Sequence, residues 1–293
     1  MNEDATAIIS NYNSDPSWLF NYFRNYVVYD QSDDGKTPDL LMRKNIQFST
    51  LSNPGHNLNS IFKYVLVNYE NLPKTLAFIK TSTVPRHCTL TYFESVFDHD
   101  YFSPFFFERS DSLPSKQPLI GFIAEDNNSW YMAEKPHKYF CNMNDLIKFI
   151  YSEPIYPEVI AFIPGANFIC ESSRLKKLPP LIYRFMDYIS SYQYFPSEAY
   201  LIERILPFLL FSNSPLNRRF DDEEVLIRDL IDLSAVKCTC SKNKGWLYRK
   251  RRSFIYRMSN LFRNLKNKSN FSSHHDIVAR RKYFRSDPTT PTQ

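Results

Sequence analysis

Glycine is almost absent: Gly35, Gly55, Gly121, Gly165 and Gly245 are the only five in 293 residues, and each stands alone. A phosphate-cradling loop needs glycine so that backbone N–H groups can approach an anion closely. A P-loop and a dinucleotide-binding G-x-G-x-x-G are therefore excluded, and any nucleotide bound here is bound another way. Cysteine is scarce as well. Cys88, Cys141, Cys170, Cys238 and Cys240 are odd in number and scattered, the pattern of thiols in a reducing compartment rather than of a disulfide framework. Cys238-Thr239-Cys240 has no second pair and no nearby His, so zinc is not expected there. Long apolar runs are missing too. Residues 205–211 make the best one and it holds Pro207, against the roughly 20 residues of a membrane span. The acidic start at Glu3 and Asp4 and the short apolar run at residues 7–9 do not make a secretion signal, so a cytoplasmic protein is expected.

Aromatic side chains are abundant. With 25 Phe, 20 Tyr and 43% hydrophobic residues, the chain has ample apolar surface to offset the entropy of folding, which excludes a disordered chain. The net charge of +5 hides a division. Residues 237–293 carry 15 Lys and Arg against Asp276 and Asp287, net +13, which leaves 21 basic against 29 acidic groups in residues 1–236, net −8. An acidic body with a basic tail points to a segment appended for an anionic surface.

Within the tail, Trp246, Leu247, Phe254, Ile255, Met258, Leu261, Phe262 and Leu265 recur at helical spacing. Between them lie Arg249, Lys250, Arg251, Arg252, Arg257, Arg263 and Lys266. The pattern predicts a basic amphipathic helix able to lie in a membrane interface, its cations contributing about 1 kcal/mol each near anionic headgroups. One alternative is a helix packed on the body against Asp221, Asp222, Glu223 and Glu224. Another is a nucleic-acid contact, which the acidic body disfavours.

In the body, short apolar runs alternate with helical patterns, which predicts α/β layering. Strands are expected at residues 5–10, 25–30, 75–80, 119–124, 158–163 and 168–170. Helices are expected at 18–24, at 57–70 capped by Asn57, after Pro179-Pro180, and from Ser197 to about residue 211 with a kink at Pro207. Residues 1–215 read as one mixed α/β domain, 216–236 as an acidic connecting helix, and 237–293 as a basic tail whose Pro-rich end is disordered.

In open α/β sheets, ligands sit outside the carboxyl ends of the strands. The first two strands end in Asn11, Tyr12, Asn13 and Asp15 and in Asp30, Ser32 and Asp33, an aromatic with amides and carboxylates that suits a nucleobase and ribose. The same residue types are also ordinary turn formers. Asp98-His99-Asp100 is the one Asp-x-Asp triplet; Asp98 and Asp100 either hold a divalent ion, Mg or Mn, bridging a diphosphate, or form a solvated or capping pair. Glu198 projects from the apolar arc of the Ser197 helix near its N-terminus, with Glu203 at the arc's edge and Arg204 beyond it. This trio is either an internal ion pair with a helix-start acid or a general base and acceptor-orienting site. The turns at Asn53-Pro54-Gly55-His56 and at Pro164-Gly165-Ala166-Asn167 can each present backbone N–H groups to an anion. There is no nucleophile elbow.

Taken in order, the segments IISNYNSDPSWL (8–19), VVYDQSDDG (27–35), SIFKYVLVNYENLPKTLAFIK (60–80), NNSWYM (127–132), IAFIPGANFIC (160–170) and SEAYLIERILPFLL (197–210) carry a resemblance. The chain resembles an uncharacterised glycosyltransferase-like family of bacterial surface-polysaccharide gene clusters, with fungal relatives. The resemblance implies a single GT-A-like (Rossmann-like) mixed sheet flanked by helices, and a nucleotide-sugar donor. It carries over to Asn11, Asn13, Asp15 and Trp18; to Tyr29, Asp30, Ser32 and Asp33; to Pro164, Gly165 and Asn167; and to Glu198, Glu203 and Arg204. The expectation is a sugar transferase acting on a glycan or lipid-linked acceptor at the cytoplasmic membrane face. Its rival is a non-catalytic glycan- or partner-binding protein that keeps the fold.

Overall fold

The computed structural model describes residues 5–86, 90–96, 103–104, 123–127, 137–194 and 196–235. The first half runs β1 (Thr6–Asn11), a 3₁₀ turn (Pro16–Asn21), β2 (Asn25–Asp30), α1 (Thr37–Arg43), β3 (Phe48–Thr50), α2 (Asn57–Asn68) and β4 (Thr75–Lys80). Short pieces follow: α3 (Thr83–Arg86), α4 (Leu90–Val96), β5 (Ser103–Pro104) and β6 (Ile123–Asp126). Then come α5 (Met143–Ile150), β7 (Val159–Phe162), β8 (Phe168–Glu171), α6 (Ser172–Leu175), α7 (Pro180–Ser191), α8 (Ser197–Phe211) and α9 (Glu223–Ala235).

The main sheet has the order β3-β2-β1-β4-β8-β5, with β6 and β7 forming a separate antiparallel pair. β1 to β4 are mutually parallel, whereas β8 runs antiparallel to β4. From β1 the chain steps to β2 and β3 on one side, then returns through α2 to β4 on the other. Strand order therefore reverses between β1 and β4.

Alternation along the strands divides the core into two layers. Ile8 of β1 with Leu76 and Phe78 of β4 packs against α2, α5, α7 and α8. Ala7 and Ile9, with Ala77 and Ile79, face the opposite layer of Leu19, Phe23, Leu41 and Phe93. Both central strands are thus apolar on both faces, as buried parallel strands are.

The expected strands at 25–30 and 75–80 coincide with β2 and β4, and 5–10 lies one residue early. Of the run at 119–124, the described strand covers Ile123–Asp126. α1, β3 and α5 had not been expected. α5 had a readable start, since Asn142 Oδ1 caps it by accepting from the Asp145 N–H at 2.8 Å. Neither Asn57 nor Ser197 is a cap: the capping positions are His56 and Pro196, and neither makes a side-chain capping bond. α8 is continuous across Pro207. The acidic helix α9 is more than a connector, because Leu226 and Leu230 join the larger core layer with Phe220.

The expectation of thiols alone is corrected. Cys141 is disulfide-bonded, while Cys170 is a free, buried thiol. A scattered, odd set of cysteines hides one bridge because pairing is decided by tertiary proximity rather than spacing. Cysteine usage therefore does not argue for a reducing compartment. Among the described residues no helix is long and apolar enough to cross a membrane.

Candidate functional site

The tips of β1, β2 and β4 carry the polar residues, and strand parity sorts them onto two faces. In the parallel register Asn11 lies beside Asp30, and Ser10 lies beside both Tyr29 and Lys80. Asn11 and Asp30 face the smaller core layer. There the Asn11 amide donates to Asp30 Oδ1 at 3.0 Å, the Ser32 hydroxyl donates to the same oxygen at 2.7 Å, and the Thr81 hydroxyl donates to Asn11 Oδ1 at 2.8 Å. Asp30 is fully buried and its Oδ2 has no hydrogen-bond partner among the described residues. This network ties the three strand tips together.

The rim above it is a second network. The Tyr12 hydroxyl donates to Asp33 Oδ2 at 2.8 Å, the Asn13 amide donates to Asp33 Oδ1 at 2.8 Å, and the Asp33 N–H returns a bond to Asn13 Oδ1 at 3.1 Å. Asn13 has a φ of 47°, a left-handed turn that asparagine tolerates. The Asn13 and Tyr12 hydrogen bonds hold the Asp33 carboxyl below the usual carboxylate range, and the Asp33 partner pushes the Tyr12 phenol up. Tyr12 keeps an exposed ring.

Asp15 and Trp18 turn the other way. Asp15 accepts from the Ser17 N–H at 3.1 Å at the start of the 3₁₀ turn and pairs with Lys44. Burial pushes its carboxyl up, but Lys44 and Ser17 outweigh that and hold it low. The Trp18 indole N–H donates to the Thr81 carbonyl at 3.1 Å while its ring packs edge-on against Phe93. Tyr29 is buried beneath the tips, its phenol pushed up by that burial.

On the α2 side of the sheet the tips open into a polar crevice of about 120 Å³. Ser10, Gln31 and Lys80 come from strand ends, Asn53, His56 and Asn57 from the loop before α2, and Tyr12, Ser14, Ser82 and Arg86 from the flanking loops. Gln31 anchors that loop: its amide donates to the His56 carbonyl at 2.9 Å and its Oε1 accepts from Ser60 at 3.2 Å. Gly55 is required by close approach, since a Cβ there would lie 2.7 Å from the Ser190 carbonyl and 2.8 Å from Asn59 Oδ1. Burial lowers the Lys80 ammonium from the usual 10.5 to about 8, with nearby Arg86 pushing the same way and Glu203 opposing.

Asn167 and Gly165 brace this arrangement. Asn167 is buried, and its Oδ1 accepts from the Lys80 N–H and the Thr83 hydroxyl, each at 2.8 Å. Gly165, at a φ of 75° that favours glycine, accepts from the Asn57 amide through its carbonyl and donates its N–H to Glu203 Oε1, both at 2.5 Å. Pro164 begins that turn.

Glu198 belongs to a different place. It is fully buried; Oε1 accepts from the Lys138 and Tyr139 N–H groups at 2.6 and 2.7 Å, and Oε2 accepts from the Tyr192 hydroxyl at 2.7 Å. Glu198, expected as a base, thus braces the backbone before α5 through three accepted hydrogen bonds and does not line the crevice. Its charge pushes the Tyr192 phenol up further after burial does. Arg204 is also buried, its guanidinium 4.3 Å from the Phe162 ring centre and 3.5 Å from Glu203 Oε2. It lines a separate, mainly apolar cavity of about 350 Å³ with Met143, Ile160 and Phe208.

Asp98 and Asp100 lie outside the described residues, as do Trp246, Arg249, Arg251, Arg252, Phe254, Arg257 and Phe262. Among the described residues no cluster of three His, Cys, Asp or Glu side chains is arranged to hold a metal. Sequence reading passed over Gln31, Lys80, Ser82 and Arg86. A signal for Lys80 existed: it ends the apolar run TLAFIK, as a strand-tip ligand does. Fold and crevice together define an α/β protein with a cationic, polar crevice at the reversal of its strand order. No protein-family model matches the chain, nor does any curated protein or solved structure.

Proposed function

We propose that the chain is a glycosyltransferase-like protein that moves a sugar from a nucleotide-sugar donor to a cell-surface glycan precursor at the cytoplasmic face of a membrane. The observation that carries this reading is the position of the crevice. Where strand order reverses, strand tips, a helix N-terminus and free loop groups are offered to a ligand together. A parallel β3-β2-β1-β4 set followed by antiparallel β8 is in keeping with the GT-A-like architecture that the resemblance implies. In this reading the Tyr12 ring and the Asn13–Asp33 rim receive base and ribose, and the crevice receives the diphosphate. The acceptor hydroxyl oxygen bonds to the anomeric carbon as that carbon's bond to the phosphate oxygen breaks. The nucleoside diphosphate leaves with the electron pair, and the hydroxyl proton passes to a carboxylate. This reading assigns that role to Glu203, which interacts electrostatically with Lys80 and is only partly buried. The basic tail would bring the body to a lipid-linked acceptor on an anionic surface.

The test is turnover of a panel of nucleotide sugars, read as nucleoside diphosphate release. Release is expected with at least one donor, falling about 100-fold or more in Glu203→Gln, as loss of a general base does. No release with any donor overturns the transferase. A second reading, a glycan- or partner-binding protein without catalysis, is favoured by the commitment of Glu203 Oε1 to the Gly165 N–H. Donor binding without release would select it.

A further inference from the structure

Lys80 and Arg86 line the crevice side by side, and among the described residues neither cationic group is tied down by a hydrogen bond or an ion pair. Lys80 is mostly withdrawn from solvent at the end of a buried strand, and its remaining electrostatic neighbours are Glu203 and the like charge of Arg86. Two neighbouring cations, one of them largely desolvated and neither held in an ion pair among the described residues, favour an anion. The rest of the lining offers it donors and no competing negative charge. It consists, among the described residues, of hydroxyls from Ser10, Tyr12, Ser14 and Ser82, amides from Gln31, Asn53 and Asn57, and His56 at the N-terminus of the twelve-residue α2. Among the described residues no carboxylate lines the crevice. A divalent metal takes carboxylate and carbonyl oxygens and would be repelled by the cation pair. The volume fits the same occupant: about 120 Å³ is below the roughly 300–1,000 Å³ of pockets that enclose a whole drug-sized ligand, so it suits the charged part of a larger molecule lying over the rim.

We infer that Lys80 and Arg86 hold the diphosphate of a nucleotide ligand directly, charge to charge, and that this binding needs no divalent cation. The inference rests on the nucleotide-sugar reading for the ligand's identity but on the crevice alone for the anion.

The experiment is calorimetric titration of the full chain with UDP, GDP and inorganic pyrophosphate, in EDTA and again with Mg²⁺ or Mn²⁺. A nucleoside diphosphate is expected to bind equally well in EDTA and in metal. Binding is expected to weaken about tenfold or more in Lys80→Gln and in Arg86→Gln, as loss of a charge-assisted hydrogen bond implies. It should be kept in Lys80→Arg. Arg86 is exposed and removes no packing, so that variant reports on binding even where Lys80→Gln perturbs the fold. Binding only with metal, or binding unchanged in both Gln variants, overturns the inference and leaves the nucleotide-sugar reading standing. Pyrophosphate bound in EDTA and lost in Arg86→Gln, with no nucleoside diphosphate bound more tightly, upholds the anion site and overturns the nucleotide-sugar reading. Absence of binding by all three probes overturns both.

Discussion

Glu198 and Lys80 are both charged groups inside the protein, and their surroundings give them opposite roles. Glu198 accepts three hydrogen bonds from Lys138, Tyr139 and Tyr192 and so fixes the chain before α5 against α8. Glu198→Ala strands two N–H groups, one of them buried, and a partly buried hydroxyl, and is expected to cost about 2–4 kcal/mol in chemical denaturation. Glu198→Gln keeps an acceptor for both N–H groups and is expected to leave donor binding unchanged. Lys80 has electrostatic neighbours instead of bonds, so the unliganded fold is destabilised by it. Its pKa is about 8 folded against 10.5 unfolded. Below pH 8 both states carry the proton and the cost of the buried charge is present in full. Between about 8 and 10.5 the unfolded chain binds more protons, so stability rises with pH through that window. Lys80→Met is therefore expected to be more stable than the parent by about 1–2 kcal/mol at pH 7, allowing for solvent screening, with the difference shrinking as pH passes from 8 to 10.5. Thermal melts across pH check this; a parent as stable as the variant at pH 7 contradicts it.

The loop before α2 is held in place by neighbouring elements. The Gly55 N–H donates to Asn59 Oδ1 at 2.6 Å, and the Asn59 amide donates to Asp187 Oδ1 at 2.8 Å on α7, whose carboxyl is raised by burial. Gly55 also lies against the Ser190 carbonyl. Gly55→Ala puts a Cβ against backbone and is expected to cost about 1–3 kcal/mol and to weaken anion binding, because Asn53, His56 and Asn57 shift with the loop. Full affinity in Gly55→Ala, measured by the same titration, would show that the loop is not part of the site. Strand parity explains which site residues were legible. Asn11, Asp30, Ser32, Asp33 and Tyr12 stand where the chain leaves β1 and β2, and they converge. One residue earlier or later on the same strands, Ser10 and Gln31 face the crevice with Lys80, while Asn11 and Asp30 lie beneath on the opposite face. β1 is apolar on both faces, so no polar–apolar alternation marks which parity faces α2.

The described body holds the acidic part of the chain, and α9 lies on it through Leu226 and Leu230. Arg184 and Arg219 pair with Glu223 and Asp229, so part of the acidic helix already has its counter-charge. The proposed membrane role of the tail then makes a separable prediction. The full chain is expected to float with anionic liposomes at low salt and to lose that binding at high salt, while a chain ending at Val236 stays in solution. Equal flotation of both rules the tail out as the anchor.

The α/β class, the strands at 25–30 and 75–80 and the polar ends of the first two strands follow from composition and pattern, because burial periodicity is written into neighbouring residues. So is the division into an acidic body and a basic tail. The meeting of Lys80 and Arg86 with Ser10, Gln31 and the loop before α2, the enclosure of Glu198, the close fit of Gly55 and the bridge at Cys141 depend on segments far apart in the chain. Strand order and register bring those segments together, and no local pattern encodes either one. That is why the polar strand tips are legible in the sequence while only the tertiary structure decides which face of the sheet each polar residue lines.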